Sequence, residues 1–167
     1  LARALPRPAR LVFTSSIAVF GGDRLPAIVT DETKITPKTT YGMTKAVLEL
    51  LVADYTRKGF FDGRGARLPT VIVRPGKPNA AASGFASGVF REPLSGIDYQ
   101  LPVGDDISMP LLGYRRVVEG LIHLHELPRE ALGHDRTLNF PSIAVKVGDM
   151  VEALRRVAGK DRKSTRL

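Results

Sequence analysis

The chain of 167 residues has no cysteine, so disulfides and thiolate chemistry are both excluded. Histidine is scarce as well. His123 and His125 stand two apart, which points them to different sides of a helix, and His134 is isolated, so a zinc site is not expected. No apolar run approaches the ~20 residues that cross a bilayer, and no signal-peptide pattern is present. These absences suit a cytoplasmic protein with no membrane partner. Basic residues outnumber acidic ones, 25 to 17, but 17 of the basic residues are arginines scattered without aromatic interleaving. A nucleic-acid surface needs a basic stripe or a recognisable module, and neither occurs. Repeats and low-complexity linkers are missing too. The largest absence is a glycine-rich phosphate loop. No Gly-x-Gly-x-x-Gly or Gly-x-x-Gly-x-x-Gly occurs anywhere, so the backbone cradle that holds a dinucleotide pyrophosphate is not in this sequence.

What is present reads as an α/β domain. Leu11 to Thr14 is a short apolar run that predicts a buried parallel strand. Gly21-Gly22 and Pro26 open a loop reaching Pro37. Thr39 or Thr40 can cap a helix running to about Lys58, with Val47, Leu48, Leu51, Val52 and Tyr55 as its apolar face. Gly59 ends that helix and Gly63-Arg64-Gly65 reads as a turn. Thr70 to Val73 then predicts a second buried strand, closed by Arg74-Pro75-Gly76. Strand, helix and strand make a right-handed βαβ unit, whose ligands bind at the carboxyl ends of the strands. Further on, the pattern predicts strands at Tyr99–Val103, 137–140 and 143–145, and helices at Tyr114–Glu126 and from Gly148-Asp149 to about Val157. The last seven residues, Asp161 to Leu167, match the translation of a common sequencing-library adapter and are set aside.

The chemistry sits at the predicted strand ends. Thr14-Ser15-Ser16 places hydroxyls at the end of the first strand, and Tyr41-Gly42-Met43-Thr44-Lys45 opens the next helix. Residues four apart share a helix face, so an ammonium at position 45 favours the phenolate form of a tyrosine at 41. Such a phenolate can take a proton from an alcohol while hydride leaves the same carbon.

These residues, together with Arg67-Leu68-Pro69-Thr70-Val71-Ile72-Val73-Arg74-Pro75-Gly76-Lys77-Pro78-Asn79, resemble the extended short-chain dehydrogenase/reductase family, the NAD-dependent epimerase/dehydratase group. The segment around Pro75, with Phe85-Ala86-Ser87-Gly88 and Arg91-Glu92-Pro93-Leu94, is similar to a branch acting on a four-carbon sugar acid. The resemblance implies the C-terminal part of a Rossmann-type, doubly wound parallel sheet spanning 1–160. Substrate-capping parts are expected at about 79–112 and 127–160, and the glycine-loop half lies upstream. It implies NAD as cofactor, with NADP left open because the residues that choose between them lie in that upstream half.

The implied roles follow residue by residue. Tyr41 is the proton acceptor, and Lys45 tunes it and bonds the nicotinamide ribose. Ser16 orients the substrate hydroxyl, while Ser15 and Pro75 line the cofactor. Arg91 is the candidate for a bidentate bond to the substrate carboxylate, with Asn79 and Ser83 as hydroxyl contacts and Arg115 and Arg116 as lesser candidates. The expected reaction oxidises the C2 hydroxyl of a D-erythronate-like acid to a 2-oxo acid. In this family the helix opened by Tyr41 often pairs across a homodimer, and Val47, Leu48, Leu51 and Val52 permit that.

Two other readings stay open: an epimerase or dehydrogenase acting on a nucleotide sugar, and a non-catalytic NAD(P)-binding module. Dehydratases of the family carry an Asp-Glu pair beside the strand-end hydroxyl, where this chain has Ser16-Ile17. The epimerases' Arg-Asp-Phe/Tyr-Val-His segment is replaced by 107–112. Both departures disfavour a nucleotide sugar. A direct expectation concerns the chain as it stands. The purified 167-residue polypeptide shows no NAD-dependent turnover in a spectrophotometric assay, and measurable turnover overturns that expectation.

Overall fold

The computed structural model describes residues 8–73, 82–158 and 165–166. The chain divides into two compact units, Leu1–Pro69 with Val117–Phe140, and Thr70–Arg116 with Pro141–Leu167.

The first unit is built on a parallel sheet in which β1 (Arg10–Ser16) lies beside β2 (Asp62–Leu68), and β2 beside β6 (Thr137–Asn139). Helix α1 (Thr40–Arg57) makes the crossover from β1 to β2. Thr39 caps it by accepting a hydrogen bond from Gly42 N at 3.0 Å, as a Thr at this position should. Gly59, at φ +75°, follows its last turn, where the left-handed conformation suits glycine.

Strand β2 is the unexpected element. Gly63-Arg64-Gly65 is not a turn but the middle of this strand, and Thr70 to Val73 is not the strand beside β1. The reason is steric and electrostatic. A Cβ on Gly63 would stand 2.6 Å from atoms of both Val52 and Thr56, so this glycine lets α1 approach the sheet closely, and Gly65 makes room for the Thr137 side chain of β6. On the opposite face Arg64 donates from Nη1 to the carbonyls of Leu124, His125 and Leu127, each at 2.7 Å. It thereby satisfies the orphan carbonyls at the end of α3 (Tyr114–Glu126). Helices therefore cover both faces, as in a doubly wound sheet.

Asp62 takes Arg64 Nη2 at 2.6 Å and also pairs with Arg136 Nη2. Arg136 itself has a left-handed backbone, φ +58°. Its remaining donors go to the carbonyls of Gly63, Arg129 and Leu132. Burial pulls its guanidinium below the ordinary arginine value, and Asp62 pushes it back up.

The face of α1 that meets the sheet also differs from expectation. Gly42, Lys45, Glu49, Val52 and Thr56 point inward, whereas Val47, Leu48, Leu51 and Tyr55 are exposed. Polar and glycine positions on β2 take polar partners, which leaves the apolar stripe outward.

In the second unit β5 (Ser108–Gly113) pairs in parallel with β3 (Thr70–Ile72) and antiparallel with β7 (Ile143–Lys146). Helices α2 (Phe85–Leu94) and α4 (Val147–Ala158) supply Ala86, Val89, Val147, Met150 and Val151 to its core, which Leu111 of β5 completes from the sheet. A two-residue β4 (Tyr99–Gln100) runs parallel to β8 (Thr165–Arg166).

Removing the Asp62 charge leaves two buried guanidinium groups without a counter-ion. Asp62→Asn is expected to lower the unfolding free energy by about 3–5 kcal/mol. Chemical denaturation followed by circular dichroism checks it.

Candidate active site

The carboxyl end of β1 runs directly into a single 3-10 turn, Ile17–Val19. Ser16 caps that turn, its Oγ accepting from Ala18 N at 3.1 Å. Phe20 closes it, donating from N to Ile17 O at 3.0 Å. The N-terminus of α1 lies against the same turn at backbone distance. A Cβ on Gly42 would stand 2.0 Å from Ala18 O, so only glycine fits after Tyr41. Ser16 and Tyr41 are thus brought to one place by contacts of their immediate neighbours.

Lys45 lies one turn along the same helix face. Its Nζ donates to Thr14 O at 2.7 Å, which tethers the ammonium to the carboxyl end of β1. The same nitrogen stands 5.6 Å from the centroid of the Tyr41 ring and 4.8 Å from that of Phe13, both within cation–π range. Tyr41 is 57% exposed, so its phenol is open to a ligand. An exposed phenol, a tethered ammonium and a capping hydroxyl converge at a strand end. Among the described residues no group of histidines or carboxylates could hold a metal ion.

Ser15 faces the other way. Its hydroxyl is buried and donates to Glu49, within a pair that Glu49 makes with Arg67. The position expected of Pro75 also changes. Ser16 is in register with Leu68, so the β2 end beside it is Leu68-Pro69, and Pro75 does not close this strand. Pro75 and Asn79 lie outside the described residues.

In the second unit, Ser83 is exposed in a 3-10 turn before α2. Arg91 is half-buried, with Nε and Nη2 donating to Glu92 Oε1 at 2.9 and 2.5 Å. Arg115 Nε donates to the Tyr114 hydroxyl at 3.3 Å. Sequence reasoning passed over Glu49 and Arg67. Glu49 could have been found, since it continues the four-residue spacing of Tyr41 and Lys45.

Comparison with known proteins bears on the family and the fold. The model of the NAD dependent epimerase/dehydratase family matches residues 1–135. The chain belongs to that family. A D-erythronate dehydrogenase of Cupriavidus necator is 52% identical over 157 residues, covering 94% of this chain and 48% of the relative. One from Haemophilus influenzae is 46% identical over 151 residues, covering 90% and 48%. The chain therefore spans about half the length of the curated relatives it matches. Among solved structures, a nucleoside-diphosphate-sugar epimerase from Agrobacterium tumefaciens superposes with a TM-score of 0.85 at 52% identity. The match covers 91% of this chain and 44% of that one. An L-threonine dehydrogenase from Phytophthora infestans gives 0.80 at 27% identity, over 94% of this chain and 51% of that one.

The tight approach at Gly42 has a measurable consequence. Gly42→Ala forces the start of α1 away from the Ala18 carbonyl and is expected to cost about 1–3 kcal/mol of stability in thermal unfolding.

Proposed function

We propose that this chain carries the alcohol-oxidising site of an NAD-dependent sugar-acid dehydrogenase whose substrate is D-erythronate or a close analogue. The observation that carries the reading is the placement of Tyr41 and tethered Lys45 beside the Ser16-capped end of β1. Two relatives named D-erythronate dehydrogenase, at 52% and 46% identity, support the substrate class.

In this reading the Tyr41 phenolate takes the proton of the C2 hydroxyl. The hydrogen on C2 leaves as hydride, and a carbonyl forms in place of the carbinol. Bound NAD supplies the hydride acceptor. Ser16 Oγ already accepts from Ala18 N, so its own hydrogen is the one to offer the substrate oxygen. Lys45 gives one hydrogen to Thr14 O and has others for ribose hydroxyls. An exposed phenol beside an ammonium fixed at a strand end suits a nicotinamide riboside, whose ribose hydroxyls can accept from the ammonium. Pro75 remains the proposed cofactor-lining proline. The exposed stripe of Val47, Leu48 and Leu51 on α1 is the proposed contact of a homodimer, whereas Val52 is buried against β2.

A second reading, action on a nucleotide sugar, has a specific observation in its favour: the 52% identical structure is described as an epimerase of that class. Against it, the chain has Ser16-Ile17, with no carboxylate, where the family's dehydratases carry an Asp-Glu pair.

The full-length protein should reduce NAD in the presence of D-erythronate and leave UDP-sugars unchanged. Turnover of UDP-sugars alone sinks the substrate assignment. Tyr41→Phe should lower kcat by about 10²- to 10⁴-fold. An unchanged rate removes Tyr41 from the chemistry.

A further inference from the structure

Helix α1 carries a third polar residue in line with Tyr41 and Lys45. Tyr41, Lys45 and Glu49 follow at intervals of one turn, and Glu49 is only 4% exposed. Its carboxylate accepts from Arg67 Nη2 at 2.8 Å and from Arg67 Nε at 3.1 and 3.2 Å, and it also accepts from the Ser15 hydroxyl. Arg67 stands opposite Ser15 at the carboxyl end of β2. Its Nη1 donates to Asn139 Oδ1 of β6 at 3.5 Å, and its guanidinium lies 5.1 Å from the centre of the Phe20 ring. Phe20 closes the turn that Ser16 caps. One buried ion pair therefore joins α1, β1, β2, β6 and the turn bearing Ser16.

Cohesion alone does not call for charge here, because apolar residues of similar volume often hold a core as well as a buried ion pair does. A bidentate guanidinium adds direction, since its planar fork accepts a carboxylate in one orientation. That orientation sets how far α1 stands along the strands. The two links from α1 to β1 also fall on consecutive residues. Lys45 donates to the Thr14 carbonyl, and Glu49 takes the Ser15 hydroxyl. A slip of the helix at Glu49 would carry Lys45 and Tyr41 with it.

We propose that Glu49 and Arg67 are positioning residues for the Tyr41–Lys45 pair, fixing the height of α1 against the ends of β1 and β2. This rests on the dehydrogenase reading above. Neither side chain touches substrate. Their effect passes through Lys45, Tyr41 and the turn capped by Ser16.

The test uses the full-length protein with D-erythronate and NAD. Glu49→Gln and Arg67→Lys are expected to lower kcat by about ten- to a hundredfold per folded enzyme, in keeping with the sensitivity of catalysis to small misplacements. The double variant should fall no further than the weaker single one. Thr56→Val is the control for a merely structural effect. It removes a buried hydroxyl that donates to Val52 O at 2.7 Å and accepts from Gly63 N at 2.9 Å, at the far end of the same helix. It should lower the thermal midpoint and leave kcat unchanged. Should Glu49→Gln fail to fold, Glu49→Asp keeps the charge and shortens the reach. It is expected to retain the fold with a lowered kcat. Wild-type kcat in the soluble Glu49 and Arg67 variants overturns the proposal, as does an equal loss of kcat in Thr56→Val at a matched midpoint. If Tyr41→Phe is inactive while those variants stay active, only the positioning role fails. If Tyr41→Phe is active, the dehydrogenase reading beneath it fails instead.

Discussion

A strand buried on both faces can carry charge only if every charge meets a partner, and β2 carries Asp62, Arg64 and Arg67. The first unit is arranged around that requirement. On one face Asp62 pairs with both Arg64 and Arg136, and Arg64 turns its Nη1 to the carbonyl end of α3. On the other face α1 brings Glu49 to Arg67. Both helices dock on the middle strand through directed polar contacts as much as through apolar area. The outward apolar stripe of α1 follows from the same fact: the sheet side of that helix is occupied by charge and close backbone approach.

The same arrangement explains why the strand end is suited to chemistry. Ser15 and Glu49 are buried and committed to each other, whereas their neighbours Ser16, Lys45 and Tyr41 reach the surface. A rigid, satisfied layer thus lies directly beneath a layer whose hydroxyl, ammonium and phenol are open. Functional groups held this way do not need long loops to bring them together. The turn from Ser16 to Phe20 and the capped start of α1 are each stabilised by their own backbone and hydroxyl bonds.

Much of this was readable from residue pattern. The first strand, the Thr39 cap, the span of α1 and the helix 114–126 all follow from apolar runs, capping hydroxyls and glycine stops. The Tyr41–Lys45 spacing translated directly into a shared face. Strand β2 did not, because Asp, Gly and Arg are the residues of turns, and only tertiary contacts with Val52, Thr56 and Thr137 make them a strand. That one misreading displaced the strand end from Leu68 to Pro75. It also hid Arg67, which then stood outside any element. The orientation of α1 was misjudged for the same reason, since an apolar stripe ordinarily faces a sheet and here the sheet asks for polar partners.

The make-up of β2 matters before the fold exists. The inner strands of parallel sheets are usually unbroken runs of Val, Ile and Leu, the kind of segment that zips onto other copies when exposed. Asp-Gly-Arg-Gly-Ala-Arg-Leu has two glycines, three charges and a single large aliphatic side chain. On a nascent chain it is well hydrated and has little tendency to pair with strangers. The centre of this sheet therefore stays soluble until its own counter-charges arrive, which guards the chain against aggregation.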